Sequence, residues 1–262
     1  MSSLGITATE AGPDGYLGDD AATIGRLLDE HGLQLIGGFL PVVLHDSGAL
    51  AATLESARRT AARFEALGAS FLVSALVLDF DWATPRPLSR DEWKRVYDGF
   101  LRLDELALDH GLTHVLHPHW GTLVERRDEV WRVLEECEVL FCLDTGHLAL
   151  GQTDPVQFAE AAGSRIAHAH LKDADDAIGG RLRSGEISLV PAVKEGLFRP
   201  LGDGDAPVAA TVRALEKSGY DGWYVLEQDI SLSADDVSPE RAATASVQRS
   251  IDFLRALQDE SS

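Results

Sequence analysis

Cysteine and basic residues are scarce in this chain of 262 residues, and each shortage argues against a class of protein. The only cysteines, Cys137 and Cys142, form neither a CxxC motif nor a disulfide framework, so we expect two small buried apolar side chains. Acidic residues outnumber basic ones by 43 to 23, which gives a formal net charge of −20. Such a surface repels nucleic-acid phosphates and anionic lipids, so we expect neither as a partner.

Long apolar runs are also missing. No stretch approaches the roughly 18 apolar residues of a membrane span, and the first residues lack the basic and apolar regions of a secretory signal. We therefore expect a soluble cytoplasmic protein. Hydrophobic residues still make up 45% of the chain, and no linker or repeat divides it, so we predict a single domain over 1–262.

Short apolar runs alternate with segments of helical periodicity. The apolar runs predict strands over 5–13, 33–44, 71–80, 113–120, 139–150, 165–173 and 221–229. The periodic segments predict helices over 21–31, 50–67, 89–110, 123–138, from 154 onward, 206–218 and 239–257. This alternation indicates right-handed βαβ units and a parallel sheet, which is an α/β fold.

The count of strand–helix units is seven, whereas a closed barrel has eight. Residues 1–4 read as the end of a helix that leads into the first strand. We therefore predict a (β/α)8-type TIM barrel that lacks its first βα unit. Its uncovered strand edges would favour a homo-oligomer. The stretch 174–206, rich in glycine and aspartate, is interpreted as an active-site loop.

Side chains able to bind a metal or move a proton follow most of the predicted strands, where α/β barrels carry their chemistry. They are Glu10, His117, His119, Asp144, His147, His168, His170, Lys172, Asp173, Glu227 and Asp229. Each of these residues also has a purely structural interpretation when it is considered alone. Asp144 would be a helix cap, a strand histidine would be a hydrogen-bonded core residue, and Glu227 would be the ion-pair partner of a loop cation. Taken together, they would crowd carboxylates and imidazoles around one point, which is costly without a cation. Such donors suit Mn²⁺, Co²⁺, Mg²⁺ or Zn²⁺.

The segments LDTGHLAL, AHAHLKD and GYDGWYVLEQD resemble motifs of the xylose isomerase-like barrel superfamily of sugar isomerases, epimerases and dehydratases. LHPHWGTLVE and ATEAGPDGYL are most similar to its inosose dehydratase branch, and the resemblance runs from about residue 5 to 257. It implies metal ligands at Asp144, His170 and Glu227. Many members supply a glutamate as fourth ligand where this chain has His117, and Glu125 is a second candidate. Members also carry one more strand and helix ahead of GITATEAGP.

The resemblance implies a metal-dependent dehydratase, a carbon–oxygen lyase, that acts on a cyclic polyol ketone such as 2-keto-myo-inositol through a metal-stabilised enediolate. Mn²⁺ or Co²⁺ is expected ahead of Mg²⁺ or Zn²⁺. A sugar isomerase or epimerase would use the same metal and the same enediolate, and a non-catalytic barrel is the third alternative. The acidic charge argues against an endonuclease.

Roles within that reaction follow as hypotheses. His147, three residues past Asp144, is the first candidate for proton transfer, followed by His119 and Lys172. Lys172 is alternatively a fixed positive charge on a substrate oxygen, and Glu10 is a candidate opposing carboxylate. Substrate contacts are predicted at Trp120 and Asp205. The loop 199–205 would close over the substrate, or Asp205 would cap the helix that follows.

Overall fold

The structure, a computed structural model, describes residues 1–12, 15–18, 20–231 and 239–261. The chain divides into two compact units, residues 1–142 and 143–262. The single-domain organisation stays a prediction.

The first unit is built of strands that alternate with long helices. Its strands pair in parallel in chain order, and they are β1 (Ala8–Glu10), β2 (Gln34–Val42), β3 (Phe71–Leu76), β4 (Thr113–Leu116) and the start of β5 (Phe141–Asp144). Its helices are α1 (Ala21–His31), α2 (Leu50–Ala66), α3 (Arg90–Asp109) and α4 (Arg127–Glu136). A short 3-10 helix, Ser2–Leu4, precedes β1.

Local signals explain the bounds of these helices. The Asp20 side chain accepts the Thr23 backbone N–H at the start of α1, and Gly32, at φ 61°, ends it in the left-handed region. Ser89 and Glu92 form a capping box at the start of α3. The predicted start of α4 is wrong by four residues, because 123–126 form an irregular turn before Arg127.

Among its described residues, the second unit carries the remaining parallel strands, six α-helices and a short 3-10 helix, Gly163–Arg165. The end of β5 is followed in sheet order by β6 (Ile166–Leu171) and β9 (Tyr224–Leu226), while β7 (Asp173–Ala174) and β8 (Phe198–Arg199) form a separate antiparallel pair. The helices are α5 (Thr145–Leu150), α6 (Pro155–Ala162), α7 (Asp176–Arg183), α8 (Leu189–Lys194), α9 (Val208–Lys217) and α10 (Pro239–Ser261).

Two predictions for this unit are wrong. Residues 145–150 do not extend β5 but form the short helix α5, because the Asp144 side chain caps the turn that begins there. The stretch 174–206 is not one open loop, since it holds α7, α8 and part of the β7–β8 pair. The seven parallel strands predicted from the sequence are all present among the described residues.

Two further features bear on the compositional predictions. Cys142 is buried as expected, whereas Cys137 is only half-buried, and neither forms a disulfide within the described residues. Within the part of the chain that the structure describes, no helix combines the length and the apolar character needed to cross a bilayer.

Candidate metal centre

Three side chains of the second unit converge at the carboxyl ends of its parallel strands. Asp144 is the last residue of β5, His170 lies near the end of β6, and Glu227 directly follows β9. One ligand atom of each, a carboxylate oxygen or a ring nitrogen, lies within 4.8 Å of those of the other two. Neighbouring parallel strands end at the same edge of a sheet, so strand order alone brings these residues together.

Asp144 combines the two roles that the sequence left open for it. It is completely buried, and its Oδ1 accepts the backbone N–H of His147 at 2.7 Å, which caps α5. A carboxylate offers about four lone-pair positions on its two oxygens. The cap is therefore compatible with a metal bond from the same side chain.

His170 and Glu227 contact each other directly. Nδ1 of the buried His170 lies 2.7 Å from Oε2 of Glu227. The other carboxylate oxygen of Glu227, Oε1, accepts a hydrogen bond from Nζ of Lys172 at 2.8 Å. Both oxygens of Glu227 are thus directed by neighbours, which fixes the orientation of the carboxylate.

Lys172 lies fully buried beside the cluster. Its Nζ also lies 2.9 Å from Oδ2 of Asp229, 3.0 Å from Nε2 of His147 and 4.5 Å from the centre of the Phe198 ring. Burial alone would lower the pKa of Lys172, but the carboxylates of Glu227, Asp144 and Asp229 outweigh it and raise that pKa. Lys172 is therefore an ammonium group at neutral pH.

The charges and donors of this cluster fit a divalent cation. Three carboxylates, those of Asp144, Glu227 and Asp229, face one ammonium, so the group carries a formal excess of two negative charges. Two carboxylate oxygens and one imidazole nitrogen form a donor set that Mn²⁺, Co²⁺, Mg²⁺ and Zn²⁺ accept. Asp144, His170 and Glu227 are the residues that would hold the ion.

The first unit holds the remaining predicted ligands. His117 is buried directly after β4, its backbone N–H donates to the carbonyl of Ser74, and its ring packs edge-on against Phe39. Its role as fourth ligand stays a prediction. Glu125 accepts hydrogen bonds on both carboxylate oxygens, from the Gly121 N–H and the Arg126 guanidinium, which stabilises the turn before α4.

The other predicted catalytic and substrate residues lie in both units. Glu10 ends β1 and is half-buried, and Nδ1 of the half-buried His119 lies 2.7 Å from the carbonyl oxygen of Trp120. Trp120 is buried, with the Arg126 guanidinium 5.5 Å from its ring centre. The roles of Glu10, His119 and Trp120 stay predictions.

Asp205 does not cap the helix that follows it. Its Oδ2 accepts the backbone N–H of Asp176 at 2.8 Å, at the start of α7, whereas Pro207 occupies the cap position of α9. The loop around Asp205 is held by Asp173, which the sequence offered only as one of the polar side chains after a predicted strand. Asp173 accepts four backbone N–H groups at 2.9 to 3.1 Å, those of Ala174, Gly202, Gly204 and Ala206.

Sequence reasoning also missed an aromatic group in the first unit. Trp82 is 44% exposed and stacks on Phe39 with ring centres 6.1 Å apart, and the His119 ring lies 6.0 Å from Trp82. Trp82 has φ 58°, a conformation that is rare for a bulky residue. No pattern in the segment DFDWATP predicts a left-handed backbone conformation at Trp82, so only the structure shows it.

Comparison with known proteins shows the family and several relatives of this chain. The family model described as xylose isomerase-like TIM barrel matches residues 1–257. The inosose dehydratase of Geobacillus kaustophilus (strain HTA426) is 28% identical over 241 residues, which cover 87% of this chain and 78% of that protein. The rhizopine catabolism protein MocC of Rhizobium meliloti is 30% identical over 240 residues, or 87% of this chain and 72% of that protein.

Other matches are shorter or more distant. The inosose dehydratase of Geobacillus thermodenitrificans (strain NG80-2) is 35% identical over 144 residues, 54% of this chain, and the match spans only 48% of that relative. Among solved structures, the IolI protein with a zinc atom has a TM-score of 0.72 at 15% identity, covering 97% of this chain and 89% of that one. The D-allulose 3-epimerase of Methylomonas sp. in complex with D-allulose has a TM-score of 0.71 at 18% identity, covering 97% and 87%. At these identities the likeness concerns the fold.

Proposed function

This chain belongs to the xylose isomerase-like TIM barrel family, and from that premise we propose that it is a metal-dependent dehydratase of a cyclic polyol ketone such as 2-keto-myo-inositol. The observation that carries the proposal is the convergence of Asp144, His170 and Glu227 within 4.8 Å at adjacent strand ends. The relatives named inosose dehydratase support the choice of reaction.

The side chains of the cluster would bind the metal ion that this reaction needs. When bound, a divalent metal would act as a Lewis acid that stabilises negative charge on the carbonyl oxygen of the substrate. Asp144, His170 and Glu227 would hold the ion at the end of the sheet. Asp144 and His170 are buried and Glu227 is half-buried. Electrostatic interactions are strengthened there, because little water screens them. We propose Mn²⁺ or Co²⁺ as the ion, with His117 as a fourth ligand.

Dehydration of a β-hydroxy ketone removes a proton next to the carbonyl and protonates the departing hydroxyl group. We assign the second task to His147. An ammonium group can only donate hydrogen bonds, so Nε2 of His147 is the acceptor of its contact with Lys172. The neutral ring then carries its proton on Nδ1, and this is the proton that His147 would deliver.

The remaining assignments extend the same proposal. Glu10 and His119 are candidates for removing the proton next to the carbonyl, and Trp120 and Asp205 for contacting the substrate. A cytoplasmic location and a homo-oligomeric state belong to the proposal in the same way.

The test is turnover of 2-keto-myo-inositol by the metal-loaded protein, followed as the absorbance of the dione product and by mass. Loss of one water per substrate supports the dehydratase. Epimerisation, which leaves the mass unchanged, would instead favour the isomerase alternative, since it uses the same enediolate. Turnover that survives exhaustive chelation would contradict the metal-dependent proposal.

Matched carboxylate variants identify the ligands in that assay. Asp144→Asn removes the charge but keeps an oxygen that can cap α5, so we expect loss of turnover without loss of fold. The control is Asp154→Asn, because Asp154 caps α6 in the same way without a place in the cluster. Equal loss in both variants would show that Asp144 acts through the helix cap alone.

A further inference from the structure

The motif DTGH, residues 144–147, contacts Lys172 at each of its last three positions. The hydroxyl of Thr145 accepts the backbone N–H of Lys172 at 2.9 Å and donates to its carbonyl oxygen at 2.7 Å. The backbone of Lys172 is therefore clamped on both sides by one side chain.

Gly146 makes room for the stem of that lysine. A Cβ atom at Gly146 would lie 2.6 Å from Cγ of Lys172 and 2.9 Å from its Cβ, closer than real contacts of this kind. The missing side chain lets the aliphatic stem lie directly on the first turn of α5. This packing directs Nζ toward His147, which is the last residue of the motif.

The ammonium group at the end of that stem has no hydrogen left to give. An ammonium carries three N–H bonds. Glu227, Asp229 and His147 lie at 2.8, 2.9 and 3.0 Å from Nζ and account for all three. Two of the acceptors are carboxylates on the segment after β9, and the third is the imidazole that we assign to proton delivery.

We propose that Lys172 is a positioning residue rather than a catalytic one, held by Thr145 and Gly146 so that its ammonium fixes the tautomer of His147 and the orientation of Glu227. A ring with hydrogen on Nε2 would place two donors against each other at 3.0 Å, so Lys172 selects the form with hydrogen on Nδ1. The inference deepens the proposed function, on which it rests for the importance of His147 and Glu227. It replaces the direct catalytic role that the sequence suggested for Lys172.

The experiment is ¹⁵N NMR of the full chain with labelled histidine, recorded without substrate and with the spectrum of His147→Gln used for assignment. In the wild type we expect His147 to show an unprotonated Nε2, far downfield, and a protonated Nδ1. A wild-type ring protonated on Nε2 would overturn the proposal, and this outcome needs no other variant to fold.

Three variants then test whether Lys172 determines the tautomer of His147. Lys172→Met removes the donor, and Gly146→Ala displaces the stem, so both should shift His147 toward the form with hydrogen on Nε2. Asp229→Asn keeps an acceptor at that position and should leave the tautomer unchanged. An unchanged tautomer in folded Lys172→Met would refute the positioning role.

The same measurement separates the inference from the proposed function. The tautomer is read with neither substrate nor turnover, so a chain that shows the expected tautomer but does not dehydrate 2-keto-myo-inositol refutes only the dehydratase. A dehydratase whose His147 carries its proton on Nε2 refutes only the positioning role of Lys172.

Discussion

Each of the two units contains a buried histidine that is hydrogen-bonded to a carboxylate, and the surroundings of the two pairs differ. In the first unit, His114 of β4 lies 2.5 Å from Asp104 of α3 through Nδ1 and 2.7 Å from the Ser74 hydroxyl of β3 through Nε2. In the second unit, His170 lies 2.7 Å from Glu227.

The difference lies in how the charges balance. Ser74, His114 and Asp104 form a chain of hydrogen bonds in which one carboxylate suffices and both ring nitrogens have partners, so it ties α3 to the sheet. Ser74 is completely buried, which leaves no access for a substrate. Around His170, further carboxylates accumulate beyond what Lys172 neutralises. A buried histidine–carboxylate pair therefore indicates a metal centre only where several oxygen donors converge on it.

The same substitution at both histidines gives the sharpest separation. For His170→Asn we expect turnover to fall by about 1,000-fold or more, since a Lewis acid contributes several kcal/mol to the reaction. Metal binding, measured by titration calorimetry, should weaken in parallel, while the urea midpoint changes less than in His114→Asn. Unchanged metal affinity would remove His170 from the ligand set.

Asp173 is a carboxylate that accepts hydrogen bonds from backbone N–H groups, so its substitution should affect stability and not metal binding. Asp173→Asn replaces one acceptor oxygen by an NH₂ group, so backbone N–H groups of the 202–206 loop lose their acceptor and meet a donor. We expect a loss of about 3 kcal/mol in the free energy of unfolding. Urea unfolding measures it, with Asp154→Asn as the matched control. If the free energy of unfolding fell by less than in the control, the four hydrogen bonds of Asp173 would not be needed for stability.

His114→Asn completes the comparison with a structural effect. Breaking the chain between Ser74 and Asp104 should lower the free energy of unfolding by about 2 kcal/mol, because buried polar groups lose partners. Turnover per folded molecule and metal affinity should match the wild type. A loss of metal affinity comparable to that of His170→Asn would erase the distinction between the two pairs.

A third histidine, His45, tests the case of burial without a carboxylate partner. Within the described residues its Nδ1 has no hydrogen-bond partner, and burial, followed by the charge of Arg86, lowers its pKa. The unfolded chain then binds a proton below about pH 6.5 that the folded chain does not, so stability is lost as the pH falls through that value. His45→Gln should flatten the decline between pH 7.5 and 5.5 by up to about 1.4 kcal/mol per pH unit. Identical pH slopes in urea unfolding would contradict this.

Much of the fold follows from local sequence signals. The bounds of α1 are predictable because Ile24 and Leu28 lie on one helical face and Gly32 ends the helix. The helix α5 was not predicted, since its six residues are mostly apolar and read as a continuation of β5. In α7, Gly179 and Gly180 obscure the helical pattern of a segment of only eight residues.

Part of the candidate site was also predictable from the sequence, and part was not. Asp144, His170 and Glu227 were predictable because strand ends meet at one edge of a parallel sheet. Lys172 was also predicted to lie at the site, but the groups that its ammonium contacts were not, since the sequence does not show which side chains pack around its Nζ. Only the packed structure shows that its ammonium is enclosed by protein groups.

Crystals grown with zinc and measured at the zinc absorption edge test the central claim most directly. We predict one strong anomalous peak per chain, at about 2.0–2.2 Å from an oxygen of Asp144, a nitrogen of His170 and an oxygen of Glu227. A peak that contacts none of these three side chains, or the same peak in Glu227→Gln at full occupancy and unchanged distances, would contradict it.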